Sequence, residues 1–337
     1  MIEISGLTKR YGDTLAVDNL SFTVCPGQVT GFLGPNGAGK STTMRVIAGL
    51  DRPTSGGATV GGRRYADQRA PLCEVGALLE ARSFHKGRSA RHHLLALAQT
   101  HGIPAARVDE VLAMVGLEHV ARRRAGGFSL GMGQRLGIAG ALLGDPAAIV
   151  LDEPVNGLDP DGVLWIRTLL KDLADQGRTV LVSSHLMSEM AVTAEHLVII
   201  GRGRLLGDTT VEELIASVQV DRVRVRSPQA TALRDALVRD RATVTSQEPG
   251  LLEVSGLSPE RIGSLAQHSG VVLYELTPQR ASLEQAYMEL TRDSVEYREE
   301  EGMGPSETAT RRPTSCSMCG QPRRRTSMAK RRWTGTP

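Results

Sequence analysis

The chain has 337 residues and a net charge of +3, with 40% hydrophobic, 23% charged and only 3% aromatic residues. That composition fits a globular protein of about two domains whose core is mostly Leu, Val, Ala and Ile, and it excludes wholesale disorder. No run approaches the roughly 18 apolar residues of a membrane span, and four cysteines (Cys25, Cys73, Cys316, Cys319) are too few for a disulfide scaffold. With no basic-then-apolar leader in Met-Ile-Glu-Ile-Ser, the expected compartment is reducing and cytosolic.

Residues 1–215 alternate strands and helices. Val29–Leu33, Ala148–Leu151 and Thr179–Val182 are continuous apolar runs of strand length, the pattern of central strands covered on both faces. Between the last two, apolar positions in 159–176 fit a helix, with Asp159 as N-cap and Gly177 just past its end. This order predicts a parallel α/β core. Residues of about 85–140, rich in Ala, Leu and Arg, read as a helical insertion. Residues 218–292 read as a second unit: strand Val220–Arg226, helix Gln229–Arg239, strands Thr243–Thr245 and Leu251–Val254, helix Pro259–Gln267, strand Val271–Leu276 and helix Leu283–Leu290. The order βαββαβ predicts a small α+β, ferredoxin-like domain. Ser282 and Gln285 form a capping box for the final helix.

Gly34-Pro-Asn-Gly-Ala-Gly-Lys40-Ser41 follows one of the strands and precedes a helical segment, Thr42–Leu50. It matches the phosphate-loop pattern G-x-x-x-x-G-K-[ST]. Gly34, Gly37 and Gly39, interleaved with Pro35, Asn36 and Ala38, let backbone N–H groups wrap around phosphate oxygens. The helix beginning near Thr42 adds positive potential there. Lys40 reaches the β- and γ-phosphates and the Ser41 hydroxyl ligates Mg²⁺, so the expected ligands are ATP and Mg²⁺. Asp152 and Glu153 end the run Ile149–Leu151, at the carboxyl edge where ligands sit in open α/β sheets. Asp152 is the second candidate for Mg²⁺, and Glu153 is the candidate to orient or deprotonate the attacking water.

Phe128-Ser-Leu-Gly-Met-Gly-Gln-Arg135 narrows the class, with Ser129 standing 89 residues after Lys40. Here the chain resembles the ATP-binding subunits of ABC transporters. Their signature, LSGGQ followed by a basic residue and Gln-Arg, is matched at Ser129, Gly131, Gln134 and Arg135 and departed from at Phe128, Leu130, Met132 and Gly133. The resemblance implies a P-loop NTPase fold, an ABC ATPase domain with a helical subdomain. It further implies a head-to-tail homodimer in which Ser129, Gly131 and Gln134 of one chain face the nucleotide on the other's Lys40 loop. Tyr11 would stack on adenine, Asp159 in Gly157-Leu-Asp159 would cross the dimer interface, and His185 would contact the γ-phosphate. Glu80 stands where the family usually has Gln; it is carried over as a candidate near Mg²⁺ or the attacking water. That substitution, and the ending Ser282–Thr291, resemble exporter subunits of the bacitracin and daunorubicin resistance type.

The implied function is the ATP-hydrolysing, energy-coupling subunit of an exporter of a drug, antibiotic or lipid-like molecule. Without a span of its own, it would sit peripherally on the cytoplasmic membrane face, driving a separate integral membrane subunit. The alternatives are an importer ATPase, or a non-transport member acting on nucleic acid or ribosomes. Neither the long coiled coil of DNA-repair members nor a second cassette is visible, so no nucleic-acid partner is expected. From 294 onward the composition is that of a disordered tail. Eight basic and no acidic residues lie in 308–337, so the net +3 becomes −5 for residues 1–307. The basic tail is a candidate to touch anionic lipid; its Cys316-Ser-Met-Cys319 pair falls short of the four ligands of zinc.

Overall fold

The computed structural model describes residues 1–217, 222–246, 248–279 and 282–291. The tail, with its cysteine pair and expected lipid contact, lies outside them. From the N-terminus the elements are β1 (Ile2–Tyr11), β2 (Thr14–Val24), β3 (Val29–Leu33), α1 (Lys40–Ile47), β4 (Ser55–Val60), α2 (Pro71–Glu74), β5 (Val75–Leu78), α3 (Ala90–Thr100), α4 (Ala105–Met114), α5 (Leu130–Leu142), β6 (Ala148–Leu151), α6 (Pro160–Asp175), β7 (Thr179–Ser183), α7 (Met187–Thr193), β8 (His196–Gly201), β9 (Arg204–Thr210) and α8 (Val211–Ser217). There follow β10 (Arg222–Arg226), α9 (Ala230–Arg239), β11 (Thr243–Thr245), β12 (Leu251–Ser255), α10 (Pro259–His268), β13 (Glu275–Gln279) and α11 (Leu283–Thr291).

The central sheet has the order β5-β6-β7-β3-β8-β9. All its neighbours are parallel except β8 and β9. Alternate residues of the parallel strands enter two different apolar layers. Val29, Leu33, Ile149, Leu151, Val180 and Val182 face one; Phe32, Val150, Leu181 and Val198 face the other. Burial on both sides is why these strands read as unbroken apolar runs. The first layer is closed by α3, α4 and α5, through Leu94, Val108, Leu112, Leu136 and Ile138. These helices occupy the stretch expected to be a helical insertion.

The second layer is closed by α1 and by an antiparallel sheet, β2-β1-β4, that the sequence reading did not separate out. Ile2, Ile4, Leu7, Leu20, Phe22 and Val24 point into that layer. The β1–β2 register shifts three times between Ile4 and Arg10. Gly6 and Asn19 also take positive φ, which breaks the two-residue period that would have marked these strands. Helix α1 starts at Lys40 and ends at Ile47, two to three residues earlier than expected. Gly49 at φ +68 ends that path.

The remaining strands form an antiparallel sheet of order β11-β12-β10-β13, with α9 and α10 on one face. Val223, Val225, Leu233, Leu237, Val254 and Ile262 make its separate core. Its last strand was expected at Val271–Leu276 but begins at Glu275, opposite Arg226. Val271 is instead drawn into the small core. The strand is an edge strand, where Pro278 is tolerated because one side needs no ladder donor. Helix α11 also departs from its expected place. Its capping box forms as read, with Ser282 N–H donating to Gln285 Oε1 (3.0 Å) and Gln285 N–H to Ser282 Oγ (3.1 Å). Yet Leu283 and Ala286 join the first layer of the large domain, with Met190, Val211 and Leu214. The helix packs on α7, α8 and β9.

Candidate nucleotide and catalytic site

The phosphate loop runs from the end of β3, a central strand, into α1. Gly37 and Gly39 have φ of +80 and +103, the left-handed region that only glycine adopts freely. Space excludes side chains as well: a Cβ would stand 2.6 Å from the Ala16 carbonyl oxygen at Gly39 and 2.5 Å from that of Ile200 at Gly34. The loop lines a cleft of about 390 Å³ with Pro35–Thr42, Tyr11, Ala16, Asp152 and Glu153 on its walls. The N–H groups of the first turn of α1 have no partner within the helix, which suits this cleft to phosphate. The Lys40 ammonium folds back on the loop, donating to the carbonyls of Gly34 and, at 3.2 Å, Pro35. Burial pushes its pKa below the usual lysine value, against the opposing pull of Glu153 and Asp152.

β6 delivers the two carboxylates. Asp152 Oδ2 accepts from Ser41 Oγ at 2.7 Å, and its Oδ1 accepts from Ser183 Oγ. Glu153 has φ +50, unusual for a residue with a side chain. Its N–H donates to Ser183 Oγ (2.9 Å), and its carbonyl accepts from Gln134 Nε2 (3.2 Å). Its Oε2 meets His185 Nδ1 at 2.7 Å. With the carboxylate accepting, Nδ1 carries the proton and Nε2 is left for another partner. The structure therefore brings Lys40, Ser41, Asp152, Glu153 and His185 together.

The signature residues lie elsewhere. Ser129 caps α5, its exposed hydroxyl accepting the Met132 N–H at 3.2 Å. Gly131 and the Gly157–Asp159 loop are pressed together: a Cβ at Gly131 would lie 3.0 Å from the Gly157 oxygen, and one at Gly157 would collide with Leu130. Asp159 caps α6, its Oδ1 accepting the Gly162 N–H at 3.0 Å. Gln134 was expected to face nucleotide. It is instead 1% exposed and bound to the Glu153 backbone, because its helical position turns it inward.

Tyr11 keeps an exposed ring on the cleft wall. Its hydroxyl donates to Asp51 Oδ2 at 2.6 Å, Asp51 is paired with Arg45, and Lys9 Nζ lies 4.7 Å from the ring centroid. The Asp51 hydrogen bond raises the Tyr11 pKa. Glu80 is absent from the lining of this cleft. It accepts from Ser83 Oγ and lines a neighbouring cavity with Arg45 and Phe84, two residues past the end of β5. Two contributors escaped the sequence reading, Ser183 and Asp51. Ser183 had a signal, a hydroxyl two places before His185 at the end of an apolar run. Asp51 had none.

Residues 17–156 match the ABC transporter family. The chain is 34% identical over 307 residues to an uncharacterised ABC transporter ATP-binding protein, YhcH of Bacillus subtilis, spanning 88% of this chain and 97% of that one. The chain belongs to the ATP-binding proteins of ABC transporters. It is an ATPase of that family. The bacitracin transport ATP-binding protein BcrA of Bacillus licheniformis is 42% identical over 217 residues, which is 64% of this chain and 71% of the relative. Among solved structures, a dimeric ATP-binding cassette in a post-hydrolysis state with ADP and Pi superposes with a TM-score of 0.57 at 25% identity. It covers 62% of this chain and 98% of the other. In this ABC ATPase, residues 221–284 also match a family described as a domain of unknown function.

Proposed function

We propose that this ABC ATPase is the energy-coupling subunit of an exporter of a drug, antibiotic or lipid-like molecule. It would consist of an ATPase domain, residues 1–215, and a small C-terminal domain in the stretch 218–292, whose last helix, α11, packs back on the ATPase domain. The observation that carries the reading is the split site. Loop and carboxylates share one cleft, with His185 held on Glu153, while Ser129 stands exposed at the start of α5, its hydroxyl engaged among the described residues only in capping its own helix. A second copy placed head to tail would bring that Ser129 and the N-terminus of α5 to the γ-phosphate held by the Lys40 loop. ATP would then bind the closed dimer better than the open one, and only such a difference can drive closure.

Within each site, phosphate oxygens would draw the Lys40 ammonium off the Gly34 and Pro35 carbonyls. Glu153, anchored by backbone and side chain, would take the proton of the attacking water. His185, oriented through Nδ1, would present Nε2 to the γ-phosphate. Ser41 Oγ and Asp152 Oδ2, 2.7 Å apart, are the hard oxygen donors that Mg²⁺ takes together with phosphate oxygens and water. Bound there, the ion would offset charge on the transferred phosphoryl group. No helix among the described residues is long and apolar enough to cross a membrane. The work of closure would therefore pass to a separate membrane subunit, with this chain docked on its cytoplasmic side. Similarity to the bacitracin transport protein supports an antibiotic as the cargo. The test is co-purification with an integral membrane protein, followed by ATPase assay of the complex in lipid with candidate antibiotics. Stimulated turnover supports the proposal; a chain that binds no membrane partner and hydrolyses ATP only with nucleic acid or ribosomes refutes it.

A further inference from the structure

We infer that Ser183 is a positioning residue for hydrolysis, holding the backbone of Glu153 and the carboxylate of Asp152 with one hydroxyl. The proposal rests on the reading of Glu153 as the group that activates water. Ser183 is the last residue of β7 and is wholly buried. A serine hydroxyl has one proton to give and lone pairs to accept with. Both functions are used: the proton goes to Asp152 Oδ1, and a lone pair takes the Glu153 N–H at 2.9 Å.

The consequence for Asp152 is a fixed carboxylate plane. Ser41 holds one oxygen and Ser183 the other. The consequence for Glu153 is a fixed peptide. Its φ of +50 is one that residues with side chains adopt only when their surroundings impose it. Ser183 imposes it from the N–H side and Gln134 from the carbonyl side, at 3.2 Å. Among the described residues the Gln134 Oε1 is buried without a partner, and the amide's one side-chain hydrogen bond there is to Glu153. A main chain pinned at both ends aims the Glu153 side chain, and His185 takes that side chain at 2.7 Å. An apolar residue at 183 would leave the Glu153 N–H buried and unpaired, and the peptide would be free to turn toward an ordinary φ.

Ser183→Ala is expected to lower kcat about ten- to hundred-fold, the effect of losing a hydrogen bond to charged, catalytically aligned groups. ATP affinity, measured with EDTA present so that no turnover occurs, should change by less than about threefold, because Ser183 touches none of the phosphate loop. Ser183→Thr keeps the hydroxyl and should recover most of the rate. Ser183→Cys, of similar volume but weak in hydrogen bonding, should fall between, and it serves if the alanine variant does not fold. In a Glu153→Gln background, Ser183→Ala should add less than about twofold, since residues acting through one another are not additive. Wild-type kcat in both Ser183→Ala and Ser183→Cys, a loss confined to ATP affinity, or full multiplication of the two losses would overturn the proposal. Wild-type turnover in Glu153→Gln alone would instead remove the reading beneath it.

Discussion

Helix α11 offers a sharp test of how the C-terminal segment is built, through Leu283→Ala. Leu283 is 3% exposed and Ala286 1%, and both lie in the apolar layer of the ATPase domain beside Val211 and Leu214. Leucine-to-alanine changes in cores cost about 2–5 kcal/mol. A nine-residue helix near the end of the described chain can shift to fill part of the space, which places this change at about 2–3 kcal/mol. For a domain of this size each kcal/mol lowers Tm by about 2–4 °C, so the ATPase transition should fall by about 4–12 °C. So short a helix does not persist without its anchor. Hydrogen exchange should therefore quicken in α11 and in the α8 amides beneath it, with β10–β13 unchanged. Leu233→Ala, in the separate core of the small sheet, should do the reverse. If Leu283→Ala leaves α8 protection intact and loosens β10–β13 instead, the assignment of α11 to the ATPase core is wrong.

Three further outcomes follow from the same geometry. Gly39→Ala meets the Ala16 carbonyl at 2.6 Å and a φ of +103, so the loop must move; binding of a fluorescent ATP analogue should weaken more than about tenfold. Tyr11→Ala removes the ring from the cleft wall. At roughly 1–3 kcal/mol for base stacking, calorimetry should show ATP Kd rising about tenfold, while Tyr11→Phe, which keeps the ring and loses the hydroxyl with its Asp51 and Thr42 contacts, should bind nearly as wild type. Burial, helped by Arg88 and His85, holds His93 below the usual histidine pKa. The unfolded chain therefore takes up this proton first, and stability present at neutral pH is lost as pH falls below about 6.5. Denaturant midpoints of His93→Leu should decline less steeply between neutral and mildly acid pH than those of wild type.

Much of the site was legible because its chemistry is local in sequence. A phosphate loop needs glycines at fixed spacing, and Gly37 and Gly39 sit at positive φ where that spacing demands it. Asp152 and Glu153 were legible from the apolar strand that carries them to the sheet edge. What sequence could not show were contacts set by long-range packing. Gln134 reads as part of the signature, yet α5 turns it toward Glu153, 19 residues away. Ser183 falls just past the strand read at Thr179–Val182; only the neighbouring β6 makes its hydroxyl a bridge. Glu80 was placed by analogy, and the exit of the chain from β5 carries it to Ser83 and Arg45 instead. The β2-β1-β4 sheet was hidden by irregular register, and the docking of α11 by the fact that a periodic apolar face does not say which core it joins.

The central claim is that Glu153, at the mouth of the phosphate loop, activates water in a site closed by a second copy. Measuring turnover and oligomeric state of Glu153→Gln with ATP and Mg²⁺ tests it most directly. Loss of a general base lowers kcat by about 10²–10⁴, so turnover should fall at least about a hundredfold while ATP affinity survives. With hydrolysis blocked, the dimer should accumulate on gel filtration in ATP but not in ADP. Turnover at the wild-type rate, or an arrested enzyme that stays monomeric with ATP bound, would contradict the account.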